Sequence, residues 1–256
     1  MKYQEYGPKQ KETVLLLHGG GLSWWNYREA AELLREEYHF ILPILDGHAG
    51  SDRPFTSIKA NAAELLSFID EKLNGSVSLI GGLSLGGQIV LEMLSQRKDL
   101  CSCAIIESAS VIPSRLTHAW IAPALGCSYG LIRRRGFAKL QFRALHIKPE
   151  LFEEYYRDTC RIEKREMIAF LQASTSYALK GTFRESSAKI HVMMGEKETR
   201  AILRSAEAIC RMRPSCQLHR MKGLRHGELS INHADRYADF IRQIIKDGRE
   251  NPVRGL

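Results

Sequence analysis

The sequence predicts an α/β fold: a mostly parallel central sheet flanked by helices, with a helical cap inserted. Two observations carry that prediction. From residue 13 onward, short unbroken apolar runs alternate with longer stretches in which apolar residues recur every three or four positions. Between 112 and 187 the alternation breaks, leaving helical patterns but no clear strand. A loop of that length without structure does not belong in a compact domain, so the interval reads as inserted helices. The expected organisation is a core of 1–111 and 188–256 with a cap over 112–187.

The strand candidates, in order, are 13–18, 40–45, 77–81, 103–107, 189–194 and 216–221. Each is too short for a helix, and each is apolar enough to be buried on both faces, as parallel strands under crossover helices are. The stretches between them, 27–38, 58–73, 85–97, 200–211 and 234–245, place apolar side chains on one stripe and charges on the other. Within the cap, 151–156 and 167–179 have the same spacing.

Composition excludes several classes. The chain has 256 residues, 44% hydrophobic and 26% charged, which is ordinary for a folded domain and unlike a disordered chain. Its first residues are polar, without the apolar core of a signal peptide or a spanning helix, so a cytoplasmic location and no membrane partner are the expectation. Cys101, Cys103, Cys127, Cys160, Cys210 and Cys216 form no C-x-x-C pair and read as buried free thiols, not metal ligands. The net charge of +8 is concentrated in part at Arg133, Arg134, Arg135, Lys139 and Arg143. Those residues read either as a solvated helical face or as a receiver for an anionic substrate group. No nucleic-acid recognition motif accompanies them, so no nucleic-acid partner is expected. Trp24, Trp25 and Trp120 read as core or as pocket lining.

The chemistry concentrates in two glycine-rich turns. Gly82-Leu83-Ser84-Leu85-Gly86 lies between a predicted strand and a predicted helix. Small residues on either side permit a sharp turn that lifts a serine hydroxyl off the sheet edge. His18-Gly19-Gly20-Gly21 follows the first predicted strand, where glycines let main-chain N–H groups approach a reacting carbonyl. Gly20, with Gly21 as the alternative, and Leu85 are the candidate oxyanion donors. His18 reads as structural.

Together with Asp46-Gly47-His48-Ala49-Gly50-Ser51 and Gly195-Glu196-Lys197-Glu198, these motifs resemble the α/β-hydrolase superfamily over nearly the whole chain. The resemblance implies a chain order of serine, acid, histidine. It points to Ser84 as nucleophile and to His226, in Gly223-Leu224-Arg225-His226-Gly227, as base. Glu198 stands where the commoner residue is aspartate, with Glu196 and Glu107 as alternative acids. His219 and His233 lie in predicted regular structure and are poorly placed. Asp46, His48 and Asp52 read as structural.

Such a site implies hydrolysis of carboxylic esters of small molecules through an acyl-enzyme on Ser84, with no cofactor and no metal. Two rivals share the fold. One is a C–C bond hydrolase or lyase acting on an anionic metabolite, and the other is a non-catalytic receptor for a small molecule. The acyl group, the alcohol and the oligomeric state are not written in the motifs.

Overall fold

The computed structural model describes residues 1–250. Seven strands form one sheet: β1 (Tyr3–Tyr6), β2 (Thr13–Leu17), β3 (His39–Pro43), β4 (Val77–Leu83), β5 (Cys101–Glu107), β6 (Lys189–Gly195) and β7 (Gln217–Met221). Their spatial order is β1-β3-β2-β4-β5-β6-β7. All neighbours are parallel except β1, which runs antiparallel to β3 with Tyr3 opposite Pro43.

Side chains alternate along each strand, so each strand feeds both sides of the sheet. From β2, Leu15 and Leu17 enter one apolar core and Val14 and Leu16 enter the other. The first core is closed by α2 (Ile58–Lys72), α3 (Leu85–Gln96) and α8 (Arg200–Met212). The second is closed by α1 (Arg28–Leu34), α9 (Glu228–Asn232) and α10 (Ala234–Glu250). Helix starts follow local chemistry: the Ser57 side chain accepts from the Ala60 N–H at the head of α2, and Thr199 accepts from Ile202 at the head of α8.

Between β5 and β6 the chain passes through four α-helices, α4 (Arg115–Ile132), α5 (Arg135–Ala144), α6 (Phe152–Thr159) and α7 (Lys164–Ser176). Side-chain bonds tie them to the sheet-bearing part. Trp25 donates its indole N–H to the buried Asp158 on α6, and the Gln88 amide donates to the carbonyls of Ser110 and Ser174.

Three features depart from the sequence expectation. β1 is an extra edge strand whose middle residues, Gln4 and Glu5, are exposed. A strand with one ladder and no buried face shows no apolar run. β7 is the opposite edge and carries exposed Gln217, Leu218 and Arg220, so it is not buried on both faces. The third concerns side chains: only Cys101 and Cys103 are buried thiols, and Cys127 is exposed. Trp25 is core, but Trp120 is 64% exposed on α4, outside the core and outside the cavity that Ser84 lines. Among the described residues no helix is long and apolar enough to cross a membrane.

Candidate active site

Ser84 stands at the tip of β4, where the chain turns straight into α3. Its φ is 53°, a left-handed conformation that a residue with a side chain adopts at an energetic cost. The turn is held by Ser84 N–H donating to the Glu107 carbonyl at 2.8 Å and by the Ser84 carbonyl accepting from Gln88 N–H. Gly86 is required here, since a Cβ on it would lie 2.1 Å from the Leu17 carbonyl oxygen. The helix start therefore presses against the end of β2, which brings Leu85 beside the His18–Gly21 turn.

That turn is fixed by two uncharged histidines. His18 is fully buried; its Nδ1–H donates to the Gly19 carbonyl and its Nε2 accepts from Leu45 N–H. His48 donates from Nδ1 to the Asp46 carbonyl and accepts the Gly21 N–H on Nε2 at 3.0 Å. Burial drives the His18 imidazolium well below its ordinary range and holds His48 down to about 4, so both rings keep the lone pair these bonds require. Gly19 N–H is engaged by the Asn26 amide oxygen. With Gly19 and Gly21 committed, Gly20 is the glycine of the turn whose N–H bonds to no group among the described residues. A Cβ placed on it would sit 3.6 Å from the Leu85 Cβ. Leu85 is the first residue of α3, so its N–H has no intrahelical partner.

The acid and the histidine come from the ends of β6 and β7. Gly195 lies so close to the histidine loop that a Cβ would be 2.3 Å from the Leu224 carbonyl oxygen. Glu196 N–H and Lys197 N–H donate to the carbonyls of Met221 and Leu224, joining the two turns. The Glu198 side chain, 1% exposed, accepts from His226 Nδ1 at 3.1 and 3.2 Å. The other two acids do not touch the ring: Glu196 accepts from Gly223 N–H, and Glu107 accepts from Ser230 N–H at 3.3 Å.

Ser84 and His226 line one cavity of about 310 Å³, together with Gly19 and Gly20 after β2 and Ala144 to Ile147 at and after the end of α5. The Ser84 hydroxyl makes no hydrogen bond to protein among the described residues, which leaves it free to turn toward the imidazole. A larger, more polar cleft of about 470 Å³ between residues 47–54 and 161–166 contains neither Ser84 nor His226.

Several residues differ from the sequence reading. Arg133, Arg134 and Arg135 are outside the 310 Å³ cavity; all three are exposed, and Arg135 pairs with Glu153. The arginine on the cavity wall is Arg225, next to His226 in sequence. His146 also lines it, at φ 55°, with its carbonyl held by the Asn232 amide at 2.7 Å. Nothing in the cap sequence marks His146, whereas Arg225 was visible as part of the histidine motif.

A parallel sheet with a serine on the strand-to-helix turn after β4, and a histidine after the last strand, defines the architecture of an α/β-hydrolase. The chain belongs to the alpha/beta hydrolase family, whose model matches residues 14–240. It is similar to the uncharacterized hydrolase YugF of Bacillus subtilis, 30% identical over 110 residues, which are 42% of this chain and 40% of that protein. It is also similar to Lipase 3 of a Moraxella species, 32% identical over 113 residues, 43% of this chain and 36% of that one. The matched segments thus span well under half of those relatives. Among solved structures, the esterase EaEST from Exiguobacterium antarcticum superposes with a TM-score of 0.81 over 95% of this chain and 94% of that one, at 18% identity.

Proposed function

We propose that this protein is a serine hydrolase that cleaves carboxylic esters of small molecules. His226 Nε2 takes the proton of Ser84 as Oγ bonds to the acyl carbon. The buried Glu198 carboxylate holds Nδ1–H toward itself and stabilises the imidazolium that forms. The oxyanion rests between the N–H groups of Gly20 and Leu85. Collapse breaks the ester C–O bond, and the imidazolium proton passes to the departing alcohol. Water, deprotonated by His226, then frees the acid and restores Ser84. The segment 112–187 serves as the cap of this site, closing the cavity with Ala144 to Ile147.

The observation that carries this reading is the Glu198–His226 hydrogen bond from the wall of the cavity that Ser84 also lines. The chemistry calls for no cofactor or metal. The test is pre-steady-state hydrolysis of p-nitrophenyl acetate. A burst of p-nitrophenol equal to the enzyme concentration is the expected result, as an acyl-enzyme accumulates. Turnover that survives in Ser84→Ala would contradict it.

A second reading, an anionic substrate cleaved at a C–C or ester bond, is favoured by one observation. Arg225 is the one lysine or arginine on a cavity wall that otherwise carries many apolar side chains, Leu22, Leu83, Leu145 and Ile231 among them. Arg225→Gln should then raise KM for carboxylate-bearing esters and leave neutral esters unchanged.

A further inference from the structure

The outer face of α4 is apolar and uncovered. Leu116, Trp120, Pro123, Cys127 and Leu131 follow one another at steps of four, three, four and four, which places them on one stripe of the helix. All five are exposed, Leu116 at 72% and Trp120 at 64%. The opposite side of α4 is already used: it packs on α7, with His118 bonded to the Gln172 carbonyl and Tyr129 to the Ile162 carbonyl. α5 continues the pattern with exposed Leu140, 67% accessible.

The charge that α4 and α5 themselves carry has one sign, with Glu153 of α6 set against Arg135. From residue 108 to 149 the sequence contains no Asp or Glu. Arg115, Arg133, Arg134, Lys139 and Arg143 are all exposed in this stretch and, among the described residues, none of them forms an ion pair with a carboxylate. Lys139 instead lies over the Phe152 ring.

We infer that the α4–α5 face of the cap docks on an anionic lipid surface. A helix with apolar side chains along one face and lysine or arginine beside them lies flat in the headgroup region, with the apolar stripe inserted and the cations against acidic headgroups. Tryptophan is suited to that boundary. The expectation of no membrane partner rested on the lack of a spanning segment, and a helix lying in the interface needs none. A second copy of the chain fits less well, because pairing this face with itself would oppose like charges around the apolar contact. The inference does not depend on the hydrolase reading, since binding is measured without turnover.

The test is co-sedimentation of the full chain with phosphatidylcholine vesicles, with and without phosphatidylglycerol, while Trp fluorescence is followed. Binding to the phosphatidylglycerol vesicles, a blue shift that Trp120→Ser abolishes, and weakening by salt are the expected results. Arg133→Gln/Arg134→Gln should lower partitioning about thirtyfold, at about fivefold per cation removed. Both variants change exposed residues, and circular dichroism checks that they are folded. The inference is overturned if wild type ignores phosphatidylglycerol vesicles or if these variants bind as well as wild type. It is also overturned if the same substitutions instead dissolve a dimer in analytical ultracentrifugation, which would make the face a self-association surface.

Discussion

Two buried carboxylates stand near the imidazole of His226, and their surroundings separate them. Glu198 accepts the His226 Nδ1–H and is placed to hold the ring. Glu107 is 2% exposed, has one oxygen on Ser230 N–H and the other without a partner, and burial pushes its carboxyl up to about 7. On this account Glu198→Gln lowers kcat by about 10⁴, while Glu107→Gln keeps most of it; the reverse result in steady-state kinetics would move the acid to Glu107. The Glu107 shift also has a sign in stability. Its folded value lies above the ordinary 4.5, so folding favours the neutral acid. That contribution, about 3 kcal/mol for a shift of this size, is complete below 4.5 and lost as pH rises through about 7. Thermal melts should therefore show wild type losing stability relative to Glu107→Gln between about pH 5 and about pH 8. Parallel pH profiles for the two proteins would mean that Glu107 is charged throughout.

At the scale of elements, the site depends on turns that press backbone against backbone. Gly86→Ala puts a methyl against the Leu17 carbonyl, and urea unfolding should register a loss at the upper end of about 1–3 kcal/mol. The His48 ring links the glycine turn to α7, accepting the Gly21 N–H and stacking on Phe170 at 4.4 Å. His48→Phe keeps an aromatic ring in place but removes the acceptor. It should leave the circular dichroism spectrum unchanged and lower kcat about ten- to a hundredfold through a displaced Gly20. These dependencies set what was legible in the sequence. β2 to β6 could be read because both faces of each are buried, so each is a continuous apolar run. β1 could not, since its middle residues are polar and it is placed by pairing with β3 and by Tyr3 and Tyr6 packing on the two cores, contacts that leave no apolar run. α4 was hidden for another reason: both its sides are apolar and Pro123, Gly126 and Gly130 interrupt it, so no amphipathic period marks it. The Ser84 and His226 turns were visible because glycine spacing is local. That His48, and not a bulkier scaffold, secures the Gly21 N–H is a contact across 27 residues and leaves no such trace.

For the whole molecule, we propose that function is divided between two sides of the helices inserted between β5 and β6. On the inner side Ala144 to Ile147 line the cavity that holds Ser84, and the outer side carries the uncovered apolar stripe and much of the +8 net charge. The core contributes a rigid frame: the turns that carry Ser84, Glu198 and His226 all leave the same end of one parallel sheet, from β4, β6 and β7, with β5 between the first two, where a ligand crevice of such a sheet lies. In the function proposed above, Ser84 is the activated nucleophile of this frame. Its most direct measurement is labelling with a fluorophosphonate probe, followed by mass spectrometry of the modified peptide. A single adduct on Ser84, absent in Ser84→Ala and slowed in His226→Ala, is the expected result; an adduct on another residue, or none on folded wild-type protein, would rule Ser84 out as the nucleophile.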